Sequence, residues 1–226
     1  VDQTPYREIA VTPFSAAEFA ENPDPRCACV LVLDRSGSMA GKKIAELNAG
    51  LQQFRDELLA DELARRRVEI AVVPFGPVVR GSSFHPAERF VPGTLSAGGD
   101  TPTGAAVNYA LDLLENQKEL YRSHGILRYR PWVILITDGE PTDAYRAAAK
   151  RAREGEVKKS WTFFPIGVEG ANMQTLAEFS DRAVPLRGHS FREFFQWLSA
   201  SMSSVSRSTP GGALQLPSAS KWTIDA

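Results

Sequence analysis

The chain has 226 residues, of which 43% are hydrophobic and 23% charged, and its net charge is −1. This is ample apolar material for one large domain with a substantial core. The near-neutral balance excludes whole-molecule attraction to nucleic acid or an anionic membrane, and no stretch resembles a signal peptide or a membrane span, so the expected compartment is the cytoplasm.

Residues 1–25 read as a polar, proline-containing N-terminal extension with one strand at 7–11. The first core strand is expected at 27–33, a continuous apolar run suited to a strand covered on both faces. It stops on Asp34 and continues Arg35-Ser36-Gly37-Ser38. Cys27 and Cys29 would share one face of this strand. A disulfide across one intervening residue would be strained, so both read as reduced, buried thiols. A metal site built on them would lack partners, since the chain has two cysteines and three histidines.

A helix is expected over 41–64, because Ile44, Leu47, Leu51, Phe54 and Leu58 step by three and four. Arg65-Arg66-Arg67 reads as its solvated end. Residues 68–75 form the next strand, and 84–91 include a short edge strand limited by Pro86 and Pro92. A second long helix spans 102–121, with Pro102 in its first turn and Thr101 placed to cap it. The basic, aromatic stretch 121–130 reads as a loop pinned by its aromatics, with a partner-binding surface as the alternative. Residues 132–137 are a second continuous apolar run, and it too stops on an aspartate, Asp138, followed by Gly139. Then come a helix at 144–156, a strand at 161–168, a helix at 172–180 and a last strand at 183–186. The final helix, 190–204, buries Phe191, Phe194, Phe195, Leu198 and Met202. The tail, 206–226, is rich in Ser, Pro and Gly, and is either flexible or pinned by Leu216 and Trp222.

Strands alternating with helices predict an α/β fold: a Rossmann-like three-layer α/β/α sandwich over residues 26–205. Its sheet would be mostly parallel, with one short antiparallel edge strand. In open parallel sheets, ligands bind beyond the carboxyl ends of the strands. Asp34, Ser36, Ser38 and Asp138 all fall at that edge, as does Thr101 in the loop Gly98-Gly99-Asp100-Thr101. Singly, each has an ordinary structural role: Asp and Ser cap helices, Thr101 caps the second helix, and Asp138 sits in a turn. Together they form an oxygen-only set suited to a hard divalent cation such as Mg²⁺.

This combination resembles the von Willebrand factor type A domain, also called the integrin I-domain fold. Its metal-ion-dependent adhesion site reads Asp-x-Ser-x-Ser, then Thr, then Asp. Here the elements are Asp34-Arg35-Ser36-Gly37-Ser38, Thr101 in Thr101-Pro102-Thr103-Gly104, and Asp138 in Thr137-Asp138-Gly139. The resemblance implies that Ser36, Ser38 and Thr101 ligate Mg²⁺ (or Mn²⁺ or Ca²⁺) and that Asp34 and Asp138 bind it directly or through water. A partner protein's Asp or Glu would complete the shell. A narrower resemblance, to the bacterial tellurite-resistance-associated TerY-like branch, rests on Pro25-Arg26-Cys27-Ala28-Cys29, Tyr129-Arg130-Pro131-Trp132, Asp138-Gly139-Glu140-Pro141-Thr142-Asp143, and Leu216-Pro217 with Trp222. It implies an adaptor in a chemical-stress system, working beside a separate protein kinase and PP2C-type phosphatase. An adaptor for an AAA+ machine is a sibling expectation.

Two other readings compete. In a metal-dependent phosphohydrolase, Asp34 would be the nucleophile. Such enzymes normally place a second Asp two residues on, where this chain has Ser36. There is no Walker A loop, and His85, His124 and His189 lie outside the motif, so no enzyme activity is expected. In the third reading the metal is structural, relieving repulsion between two converging aspartates.

Overall fold

The computed structural model describes Phe19, residues 22–212 and residues 215–223. The strand expected at 7–11 lies outside them. The sheet has six strands: β1 (Cys27–Asp34), β2 (Val68–Phe75), β3 (His85–Pro86), β4 (Trp132–Thr137), β5 (Thr162–Gly167) and β6 (Val184–Pro185). Their order is β3-β2-β1-β4-β5-β6; every pairing is parallel except β2 with β3. This is the expected α/β architecture, antiparallel edge strand included.

The continuous apolar runs became the central strands, and all residues of β1 and β4 are buried. Side chains alternate across a strand, so β1 feeds two cores. Leu31 and Leu33, with Ile134 and Ile136 of β4, pack beneath helices α1 (Lys42–Ala60) and α6 (Phe191–Arg207). Val30 and Val32, with Val133 and Leu135, face α3 (Thr103–Ser123), α4 (Arg146–Val157) and α5 (Met173–Phe179). Cys27 and Cys29 are free and buried in the first core. Burial, followed by the nearby Glu69 charge, pushes the Cys27 thiol up to about 12, which leaves it unreactive at neutral pH. Among the described residues no helix is long and apolar enough to cross a membrane.

Three local expectations need correction. The helix expected over 41–64 breaks after Ala60, and a short α2 (Glu62–Arg67) restarts at once. The cause is Asp61, whose carboxylate accepts the Leu63 and Ala64 amides and caps α2. The arginines of 65–67 are not simply solvated, because Arg66 and Arg67 both reach Asp24 and Arg67 also donates to the Ser206 carbonyl at 2.6 Å. Thr101 does not cap the second long helix. Pro102 occupies the N-cap position of α3 without a side-chain bond, and Asp143 accepts the Gly104 and Ala105 amides at 2.9 and 2.7 Å.

The aromatics pin the basic loop, as expected. Tyr121 and Tyr129 are buried, and the Tyr129 hydroxyl donates to the Ser208 carbonyl at 2.8 Å. The tail is pinned through Trp222, which is buried and has its ring centroid 5.0 Å from that of Phe194 and 5.1 Å from that of Trp197 on α6. Leu216 stays partly exposed.

Candidate metal centre

The sheet order reverses direction at the β1–β4 seam. The chain passes from β1 outward to β2, then returns to the other side of β1 to add β4. That seam is the topological switch point, where connections leave in opposite directions and a crevice opens above the strand ends. In the register, Leu33 pairs with Ile136. Asp34 therefore stands level with Thr137, and Asp138 lies one residue further along. Two carboxylates from residues 104 positions apart in sequence meet at one rim because two parallel apolar runs end at the same height.

The hydroxyl loop is folded over this seam. The Ser36 amide donates to Asp34 Oδ1 at 2.7 Å, which turns the chain back toward the strand end. The Gly37 amide donates to the Gly99 carbonyl at 3.0 Å and the Gly98 amide to the Arg35 carbonyl at 2.7 Å, so the two loops are stitched together. Gly99 has φ +78°, and a Cβ there would stand 2.4 Å from the Pro77 nitrogen, so glycine is required for this approach. Ser36 and Ser38 have their hydroxyl oxygens 3.1 Å apart, and the Ser38 hydroxyl donates to Asp138 Oδ1 at 2.6 Å. Thr101 is buried, with its hydroxyl against Gly139, where a Cβ would approach it to 3.1 Å. Asp34, Ser36, Ser38 and Asp138 are thus brought into one bonded chain, with Thr101 beside the Asp138–Gly139 peptide.

The ordinary capping roles do not account for these side chains. Ser36 precedes a short 3-10 turn, Gly37–Met39, but its hydroxyl caps nothing, and α1 starts from Gly41 without a side-chain cap. Asp34 and Asp138 are buried, as are Ser36 and Thr101, while Ser38 is exposed at the rim. Burial raises the Asp34 carboxyl above its ordinary value. Hydrogen bonds from Thr137 and Ser36 pull it back, and the Asp138 charge adds a smaller upward push. Among the described residues no group of three or more His, Cys, Asp or Glu converges, so a cation here would have to draw on hydroxyl oxygens. The donors present fit a hard oxophilic cation and exclude a soft one.

Sequence reasoning missed two participants. Thr137, read only as the end of an apolar strand, donates its hydroxyl to Asp34 Oδ2. Lys43, in the first turn of α1, places Nζ 2.5 Å from Asp138 Oδ2 and 2.9 Å from the Glu169 carbonyl. Thr137 carried a local signal, a hydroxyl directly before Asp138. Lys43 carried none, since its partner lies 95 residues away.

Residues 29–194 match the family model of the von Willebrand factor type A domain. No curated protein matches the chain in sequence. Among solved structures, the pilus adhesin SpaC from Lactobacillus rhamnosus GG in its open conformation superposes with a TM-score of 0.65 at 13% identity, over 80% of this chain and 30% of SpaC. BatB from Bacteroides thetaiotaomicron gives 0.54 at 18% identity, over 80% of this chain and all of that one. The ArnB paralog VWA2 from Sulfolobus acidocaldarius gives 0.53 at 18% identity, over 78% and 45%. The chain spans less than a third of SpaC and under half of VWA2, and at these identities the likeness speaks for the fold alone. With the family model covering well over half of the residues and the sheet built as described, the chain belongs to the von Willebrand factor type A domain family.

Proposed function

We propose that Asp34, Ser36, Ser38, Thr101 and Asp138 hold a divalent cation, Mg²⁺ or in its place Mn²⁺ or Ca²⁺, and that the domain is a metal-dependent protein-binding module. The observation that carries this reading is the hydroxyl chain from Ser36 through Ser38 to Asp138 across the β1–β4 seam. It lies on a domain of a family that often mediates adhesion or protein–protein interaction. A bound cation supplies an electrophilic face that a partner's Asp or Glu can ligate. The neutral hydroxyls of Ser36, Ser38 and Thr101 offset little of its charge. Thr137 and the Ser36 amide hold Asp34 in place, and Ser38 orients Asp138.

Among the described residues the side chains hydrogen-bonded to this set are hydroxyls, the aspartates themselves and the Lys43 ammonium, with no histidine or cysteine among them, which favours binding over catalysis. The surrounding surface would choose the partner and the carboxylate contact would gate it. As an adaptor in a bacterial tellurite or chemical-stress system, the domain would act beside separate kinase and PP2C-type phosphatase proteins, or on an AAA+ machine, rather than on nucleic acid or a membrane.

The test is calorimetric titration of Mg²⁺ and Mn²⁺ into wild type and Asp34→Ala, with capture of partners from native lysate in the presence and absence of EDTA. Saturable binding lost in Asp34→Ala, with partners released by EDTA, is the expected result. Metal binding lost in the mutant while partner affinity stays unchanged would refute the adhesion role and leave a structural ion.

A further inference from the structure

Lys43 is oddly placed for a helix residue. It is the second residue of α1, where the amide dipoles disfavour a cation, and that first turn contains no acid. Its neighbour Lys42 behaves as an ordinary surface lysine, with a side chain 70% exposed and 3.8 Å from Glu46 one turn on. The Lys43 side chain is only 20% exposed and reaches across the seam to Asp138, whose own side chain is fully buried. Its second hydrogen bond, to the Glu169 carbonyl, ties the start of α1 to the loop after β5. Both oxygens of Asp138 are taken, Oδ1 by Ser38 and Oδ2 by Lys43.

We propose that Lys43 is a tethered cation that competes with the metal for Asp138 and so sets the metal affinity of the site. This rests on the metal-binding reading above. A divalent ion approaching Asp138 meets an ammonium already paired with that carboxylate. It must displace the lysine or tolerate its repulsion at close range, and either cost is paid on loading. The lysine equally spares the buried Asp34–Asp138 pair from full mutual repulsion. Lys43 is therefore a positioning residue, acting on the metal through Asp138.

The experiment is calorimetric titration of Mg²⁺ and Mn²⁺ into the full chain as wild type, Lys43→Met, Lys43→Arg and Lys42→Met, with thermal melts in EDTA and in excess metal. Removing the charge at 43 should tighten metal binding about tenfold and enlarge the metal-induced rise in melting temperature. Lys43→Arg should stay near wild type, because the charge is retained, and so should Lys42→Met, because that lysine makes no contact with Asp138. If Lys43→Met does not fold, Lys43→Gln, an uncharged side chain that can still donate to Asp138, carries the same expectation. Equal or weaker affinity in the uncharged variants would overturn the role of Lys43 while leaving the metal site standing. No saturable metal binding in wild type or in any Lys43 variant would overturn the metal reading and this proposal with it.

Discussion

The sheet buries carboxylates at both of its ends and treats them in opposite ways. At the amino end, Glu69 of β2 is enclosed by a full set of donors. Arg26 Nε stands 3.0 Å from one oxygen; Gln117 at 2.8 Å and the Tyr121 hydroxyl serve the other. Phe19 lies under the Arg26 guanidinium and edge-on to Tyr121. At the carboxyl end, Asp34 and Asp138 are served by small hydroxyls, a backbone amide and one long lysine that reaches in from the rim. In the amino-end network both carboxylate oxygens of Glu69 are satisfied, as a buried charge requires for stability. The carboxyl-end network holds no guanidinium, and its small hydroxyls are the groups that the proposed cation would draw on. Burial of a charged group alone does not mark function; the kind of donor around it separates the two ends.

The largest effect should come from breaking the closed end. Arg26→Ala strands the Glu69 carboxylate and should cost about 3–5 kcal/mol by denaturant unfolding. Mg²⁺ affinity should stay unchanged, because the residue lies at the far end of β1. A comparable loss of metal binding would show that the two ends are coupled.

A pH series sharpens the contrast. Burial raises the Glu69 carboxyl above its ordinary 4.5, outweighing the Tyr121 bond, the Arg26 charge and the Gln117 bond that pull it down. The folded chain therefore holds that proton more tightly than the unfolded chain. The contribution of Glu69 to stability is greatest below pH 4.5 and falls as pH rises through the folded value, then levels off. The stability of wild type relative to Glu69→Gln should decline across that window, and an unfolding series at stepped pH should show it. A flat difference would mean that the Tyr121 bond, the Arg26 charge and the Gln117 bond together cancel burial completely.

The smallest effect belongs to a residue that supports the proposed metal centre from behind. Asp143→Ala removes the acceptor for the Gly104 and Ala105 amides and should lower stability by about 1 kcal/mol. Thr101 sits just before that helix and bonds Thr142 through its backbone, so metal affinity should fall modestly as well. Paired melts and titrations would separate the two effects.

The carboxyl end was the more legible of the two in the sequence. Asp34 and Asp138 each terminate an apolar run, and both signals are local. The register of parallel strands then brings them together without further information. The hydroxyl spacing of Ser36 and Ser38 was equally local. Lys43 and Glu69 were invisible for the same physical reason: each is a charged residue in a sequence window that reads as ordinary helix or strand, and its partner comes from a distant segment. Glu69 sits within an otherwise apolar strand, and only the fold reveals that Arg26, Gln117 and Tyr121 surround it. The break at Asp61 was missed because the apolar stripe of α1 ends only three residues earlier, at Leu58, so periodicity gave no warning of a cap.

The two outer strands of the sheet, β3 and β6, have a consequence for assembly. Each is two residues long, and each contains a proline, Pro86 in one and Pro185 in the other. A proline offers no amide to an incoming strand, and two residues give no ladder to extend. Beyond β6, the backbone of Thr223 already bridges to Leu186. The sheet thus resists growth by strand addition at both flanks, a safeguard against edge-to-edge aggregation. Among the described residues neither flank offers a strand edge to a partner, which leaves side-chain surface as the way to engage this domain.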